Sequence, residues 1–253
     1  FNEGVFAYML ERMKDLYDEY EDLKDTISEM QITVAAAQCP IVYVEGPTDV
    51  KILETARDKL GLQGLSLRFQ SANGAGDISL FLNVSIRVKR DDRPLVGIYD
   101  SDARGRKEFD RFKSYRRFQD TSLRILDRGK RIFAGVLNVP GHLIKAEEAF
   151  KSIGMSLPLP IEFMFRRELI MDAISDGVLV LSPRIARIAN EELPLEINVD
   201  SAISGRIAQD FLYLAKSVDD DCKVPFSEWL ANRPPADFEV FRQLFEDLTL
   251  AIE

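Results

Sequence analysis

Histidine and cysteine are nearly absent from this chain of 253 residues, and each absence removes a class of chemistry. A single histidine, His142, offers no imidazole metal cluster and poor support for a nucleophile–base triad. Cys39 and Cys222 stand far apart without Cys-x-x-Cys spacing, which argues against structural zinc and against a disulfide framework. Such a pair suits a reducing, cytoplasmic setting. No apolar run approaches the roughly 20 residues of a membrane helix, so no membrane partner is expected. No Gly-x-x-x-x-Gly-Lys-Ser/Thr stretch occurs, so no phosphate-binding loop of that type is present. The chain begins at Phe1 with no signal-peptide pattern, and we expect it to be a piece of a longer protein or a separate subunit. Positive charge is outnumbered: the net charge of −9 speaks against a general nucleic-acid coat and leaves room for a local basic groove.

What is present is acid at the ends of apolar runs. IVYVEGPTDVKIL, residues 41–53, places Glu45 after four apolar residues and Asp49 at a helix start. PLVGIYDSDARG, residues 94–105, repeats the pattern with Asp100 and Asp102. Strand-like runs at 41–44, 65–69, 95–99 and 131–139 alternate with helical stretches at 49–60 and 77–88 and a basic segment at 104–128. The alternation predicts βαβ units, a four-stranded parallel sheet and flanking helices. After Pro140 the periodicity predicts helices over 161–175, 183–193, 201–217 and 235–252, punctuated by prolines. Residues 5–31 carry apolar side chains at alternating steps of three and four. They read either as a heptad seam for a partner helix or second copy, or as an ordinary amphipathic helix. Three parts result: an N-terminal helix in 1–38, an α/β core over 39–160 and a C-terminal helical part over 161–253.

In a parallel sheet every strand ends on one edge, and ligands bind beyond those ends. Glu45, Asp100 and Asp102 would meet there, with Asp49 in the first turn of the next helix. Each acid alone has an ordinary explanation, Asp49 as a helix cap and DSDARG as a polar turn. Together they would repel one another and raise each other's pKa unless a hard divalent cation intervened.

The pairing of VEGPTD with YDSDARG resembles the TOPRIM domain shared by topoisomerases, primases and several nucleases, whose signature is a glutamate after the first strand and Asp-x-Asp after the third. The extra Asp49 resembles the OLD (overcoming lysogenisation defect) nucleases and their Gabija-like relatives. LPIEFMF with Glu162 and CKVPFSEWL with Lys223 are shorter matches to the same family, and the likeness spans roughly residues 40–250. The resemblance implies a Mg²⁺- or Mn²⁺-dependent DNA endonuclease with two ions, one on Glu45, Asp49 and Glu162 and one on Asp100 and Asp102. Lys223 would stabilise charge on the phosphate. It further implies an ABC-type ATPase, as a separate subunit or a missing domain, through which alone ATP would act, and a role in anti-phage defence.

Between Arg104 and Arg131, eleven Lys or Arg face four Asp or Glu, a surplus of seven. Arg104, Arg106, Lys107, Arg111 and Lys113, directly after the Asp-x-Asp, are the candidate DNA contacts; a solvated helix face is the plainer alternative. NGAGDI, residues 73–78, reads as a turn into a helix. His142, Trp229 and the phenylalanines near 226–245 read as loop or packing residues. Two rival functions stay open: a non-catalytic TOPRIM module that docks an ATPase, and another TOPRIM chemistry of topoisomerase or primase type.

Overall fold

β-Branched and apolar residues dominate the two central strands, and both are buried along their whole length. A computed structural model of the chain describes residues 39–183 and 205–253, with the backbone alone for 185–188 and 195–198. The seam over 5–31 lies outside the described residues. Strands β1 (Ile41–Val44), β2 (Arg68–Ser71), β3 (Leu95–Tyr99), β4 (Arg124–Asp127) and β5 (Ile132–Val136) form one sheet in the order β2-β1-β3-β5-β4. The first three and β5 run parallel, and β4 closes one edge antiparallel to β5. The architecture is the mixed α/β one expected, with a fifth, antiparallel strand added to the four parallel ones foreseen.

Helices α1 (Pro47–Lys59), α2 (Ala75–Val88) and α3 (Ala103–Phe109) connect the parallel strands. Right-handed crossovers, the default hand, set α1 on one face and α2 with α3 on the other. The strands show this division by parity. Val42, Val44, Val96 and Ile98 join the large apolar cluster that also holds Ile52 and Leu53 of α1. Tyr43 and Tyr99, of opposite parity, meet α2 instead. The Tyr43 and Phe81 rings lie 5.1 Å apart, and the Tyr99 hydroxyl is 2.9 Å from that of Ser79. A Cβ on Gly97 would come within 2.5 Å of Ile78, so the close approach of α2 to β3 requires glycine there.

The remaining helices are α4 (Ile144–Ser152), α5 (Arg167–Ser175), α6 (Asp220–Leu230) and α7 (Arg242–Ile252). Four expectations are corrected in this half, one of them the helix over 235–252, where Pro235–Phe241 form a 3-10 segment before α7 begins. Residues 161–175 do not form one helix: a 3-10 turn over Ile161–Met164 ends at extended Phe165, and α5 begins two residues later. Phe165 is wholly buried, edge-on to Phe226, Phe238 and Phe241 at 6.0, 5.7 and 5.5 Å. That aromatic packing overrides local helix propensity. The helix foreseen over 183–193 is replaced, where described, by strand β7 (Ile185–Ile188), paired antiparallel with β8 (Leu195–Asn198). Leu195–Asn198 alternates apolar and polar residues in sequence, a period of two, whereas Ile185–Ile188 does not, and its pairing with β8 makes it a strand. In place of a helix over 201–217, Gln209–Ala215 form a 3-10 segment, and Ser217–Val218 (β9) pair with Leu181–Ser182 (β6). Among the described residues no helix is long and apolar enough to cross a membrane.

Candidate functional site

The C-terminal ends of β1 and β3 are adjacent because these strands pair in register from Ile41 with Leu95. They are also where the connections diverge, β1 leading towards β2 and β3 towards β5, the place where open α/β sheets bind ligands. Glu45 leaves β1 and turns its Oε1 to accept the backbone N–H of Asp100 at 2.9 Å, tying the two strand ends together. Asp49 bends back from the first turn of α1 to accept the N–H of Gly46 at 2.7 Å. The capping role open to Asp49 in the sequence is therefore real, and it fixes the carboxylate towards Glu45. Asp102 caps α3 by accepting the N–H of Gly105 at 2.7 Å.

Gly105 was not singled out by its sequence, although it closes the DSDARG motif. A Cβ there would lie 2.2 Å from the carbonyl oxygen of Asp100 and 2.8 Å from Glu45 Oε1. Glycine is thus the residue that lets α3 start against the acids.

Glu162 arrives by a separate route. Ser101 and Leu159 form an antiparallel bridge, with the Ser101 N–H donating to the Leu159 carbonyl at 3.0 Å. Pro160 then continues extended, and the 3-10 turn delivers Glu162, which is 2% exposed. Glu162 is therefore a buried turn residue, not the first-turn carboxylate of an α-helix. Lys223 comes from α6, which packs on α1 and is pinned to it by a Lys51–Glu228 ion pair of 2.9 Å. Its Nζ sits 3.0 Å from Asp220, one turn earlier, a partner that the i, i+3 spacing could have signalled.

These groups feel one another. Burial raises the Glu45 carboxyl, and Asp102 adds to it, against the Asp100 N–H, Arg104 and Lys223. Asp49, buried beside Glu162 and Glu45, is pushed up to about 7. Asp100 is raised well above the carboxylate range, by desolvation first and then by Asp49, Glu45, Glu162 and Asp102. Glu162 is raised by burial, partly offset by Lys223. Burial alone would lower Lys223, but Glu162, Asp220 and Asp49 outweigh it and hold its pKa above the ordinary lysine value. The structure thus gathers all five predicted acids and the lysine at one edge. Among the described residues, however, no three His, Cys, Asp or Glu side chains are grouped as they would be around one ion.

The basic residues divide. Arg106 is held by the Ser101 carbonyl at 3.0 Å and faces Glu147 at 3.7 Å, and Arg111 pairs with Glu108 at 2.8 Å. Arg104, Lys107 and Lys113 are exposed. The Arg104 guanidinium reaches over the NGAGDI turn, 3.5 Å from where a Cβ on Gly74 would lie. His142 contacts the Phe165 carbonyl at 3.2 Å, a packing role.

No protein-family model and no curated protein matches the chain. Solved structures similar to it are C-terminal regions of OLD proteins. Two structures of the Xanthomonas campestris pv. campestris protein share 17% identity and a TM-score of 0.36, over 84% of this chain and 93% or 95% of theirs. The Burkholderia pseudomallei protein shares 15% identity and a TM-score of 0.34, over 85% of this chain and 98% of its own. Likeness at that level transfers no residue role.

Proposed function

We propose that the chain is the nuclease module of an OLD-like protein, a Mg²⁺- or Mn²⁺-dependent endonuclease that hydrolyses DNA phosphodiesters. The observation that carries this reading is the convergence of Glu45, Asp49, Asp100, Asp102 and Glu162, from three separate segments, into a cleft that raises four of their pKa values. A cleft that holds so much mutually repelling charge is suited to a cation. The donors are all carboxylate oxygens, the chemistry of Mg²⁺ or Mn²⁺ rather than of a thiolate- or imidazole-bound metal. Because no three of them are grouped for one ion, each of two ions would be held by one or two carboxylates with water completing the shell, as Mg²⁺ prefers. One ion would draw its one or two carboxylates from among Glu45, Asp49 and Glu162, and the other from Asp100 and Asp102.

When bound, the ions supply an activated water and neutralise charge on the phosphate. The chain's own residues do the rest. Glu45, whose Oε1 accepts the Asp100 N–H, would orient the incoming water. Lys223, kept protonated by its acidic neighbours, faces the developing negative charge as a compact cation. Arg104, Lys107 and Lys113 attract the DNA backbone. Action with an ABC-type ATPase in anti-phage defence belongs to the same proposal.

That no three-carboxylate cluster occurs among the described residues is the one observation that favours a non-catalytic docking module instead. Supercoiled plasmid incubated with Mg²⁺, Mn²⁺ or EDTA, wild type beside Glu45→Ala, separates the two. The nuclease reading expects metal-dependent nicking that the variant loses. If no metal supports nicking and calorimetry shows no Mn²⁺ binding, the docking reading stands in its place.

A further inference from the structure

Beside the acids, one strand over, a cavity of about 300 Å³ opens between the C-terminal ends of β3 and β5. Its walls are Phe109, Leu137 and Val139, and its polar atoms come from Arg106, Asp110 and Asn138. Ser101, the middle residue of the Asp-x-Asp motif, also lines it, between the two acids Asp100 and Asp102.

We propose that the cavity takes one unstacked nucleobase of the DNA strand, with a preference for a base bearing an exocyclic amino group. The proposal rests on the nuclease reading and extends it to substrate selection. Size is the first argument: the volume lies at the lower end of the range for small-molecule pockets, room for a flat heterocycle rather than for a duplex. Chemistry is the second. An apolar wall with polar groups at the rim is how proteins hold a base withdrawn from its stack. The rim is biased towards acceptors. Arg106 is already engaged by the Ser101 carbonyl and by Glu147. The exposed Asp110 carboxylate only accepts, and the exposed Asn138 amide can accept as well as donate. Acceptors suit the amino groups of guanine, adenine and cytosine, and find no exocyclic partner on thymine. Location is the third argument. Because Ser101 sits between Asp100 and Asp102, a base seated here would place its own backbone at the edge of the carboxylate cleft.

The test needs no cleavage. Anisotropy titrations in EDTA use a labelled oligothymidine and the same strand with one central deoxyguanosine. Wild type is expected to bind the guanosine strand about tenfold more tightly. Asp110→Ala with Asn138→Ala should level the two affinities, and Val139→Trp, which fills the cavity, should do the same while binding of oligothymidine persists. Equal affinities in wild type, no binding of either strand, or a preference that survives both variants would overturn the proposal. A base preference in a protein that cuts no plasmid with any metal would leave the subsite standing and remove the nuclease reading.

Discussion

Replacing Asp49 with asparagine should stabilise the metal-free protein while disabling it. Asp49 is 7% exposed and faces Glu162 and Glu45, and its carboxyl is pushed from 3.8 up to about 7. Three units correspond to about 4 kcal/mol of penalty on the charged form. That figure is a ceiling, since neighbouring carboxylates share the same repulsion, so relief of about 2–4 kcal/mol is expected. The sign follows from linkage. A folded-state carboxyl raised above its unfolded value takes up a proton on folding below about pH 7. Wild-type stability therefore rises as pH falls from about 7 towards 4, and the penalty is present in full above 7. Asparagine keeps an oxygen to accept the Gly46 N–H now held at 2.7 Å, so the cap survives. For a unit of this size each kcal/mol moves the melting temperature by about 2–4 °C. Thermal melts in EDTA at pH 8 should thus place Asp49→Asn roughly 5–15 °C above wild type, with the gap closing near pH 4–5. Saturating Mg²⁺ or Mn²⁺ should raise wild type and narrow the gap at pH 8. A variant that melts at or below wild type at pH 8, or a gap independent of pH, would refute the claim that uncompensated charge is stored in this cleft.

Other perturbations probe other parts of the same argument. Gly105→Ala sets a methyl 2.2 Å from the Asp100 carbonyl, and should cost about 2–3 kcal/mol in denaturant melts and at least tenfold in cleavage. A variant with wild-type activity would show that the strand ends are not tightly tied. Lys223→Met should lower kcat by about 10²–10³ while calorimetric Mn²⁺ binding persists, because it removes a cation aimed at the phosphate and no ligand; loss of Mn²⁺ binding would assign the lysine a structural role. Lys107→Ala and Lys113→Ala should each reduce the salt slope of DNA binding by about one, whereas Arg111→Ala, already paired with Glu108 at 2.8 Å, should change it little. Equal slopes in all three would show that the ion pair opens on DNA.

The elements that position the site were legible in the sequence because each is a local pattern with a single physical reading. Ile41–Val44 and Leu95–Tyr99 are unbroken apolar runs, and only a central strand covered on both faces buries such a run. Their acids fall where parallel strands must end together, so Glu45, Asp49, Asp100 and Asp102 could be placed on one edge from spacing alone. What escaped the sequence depends on partners far along the chain. β4 offers just Ile125 and Leu126 between charged residues, and it is a strand because β5 pairs with it and Arg124 lies 4.7 Å over the Phe109 ring. The break after Met164 exists because three phenylalanines from 60 to 80 residues downstream take Phe165 as their centre. The basic segment shows the same limit in its electrostatics. Its surplus of seven positive charges is a property of composition. Which of those charges meet solvent is a property of the fold, which turns Arg124 and Arg131 onto the carbonyls of Phe112 and Ala251 at 3.1 Å each. An acid cluster can be read from sequence because strand order forces it together, whereas a basic surface is defined by what the tertiary structure leaves unpaired.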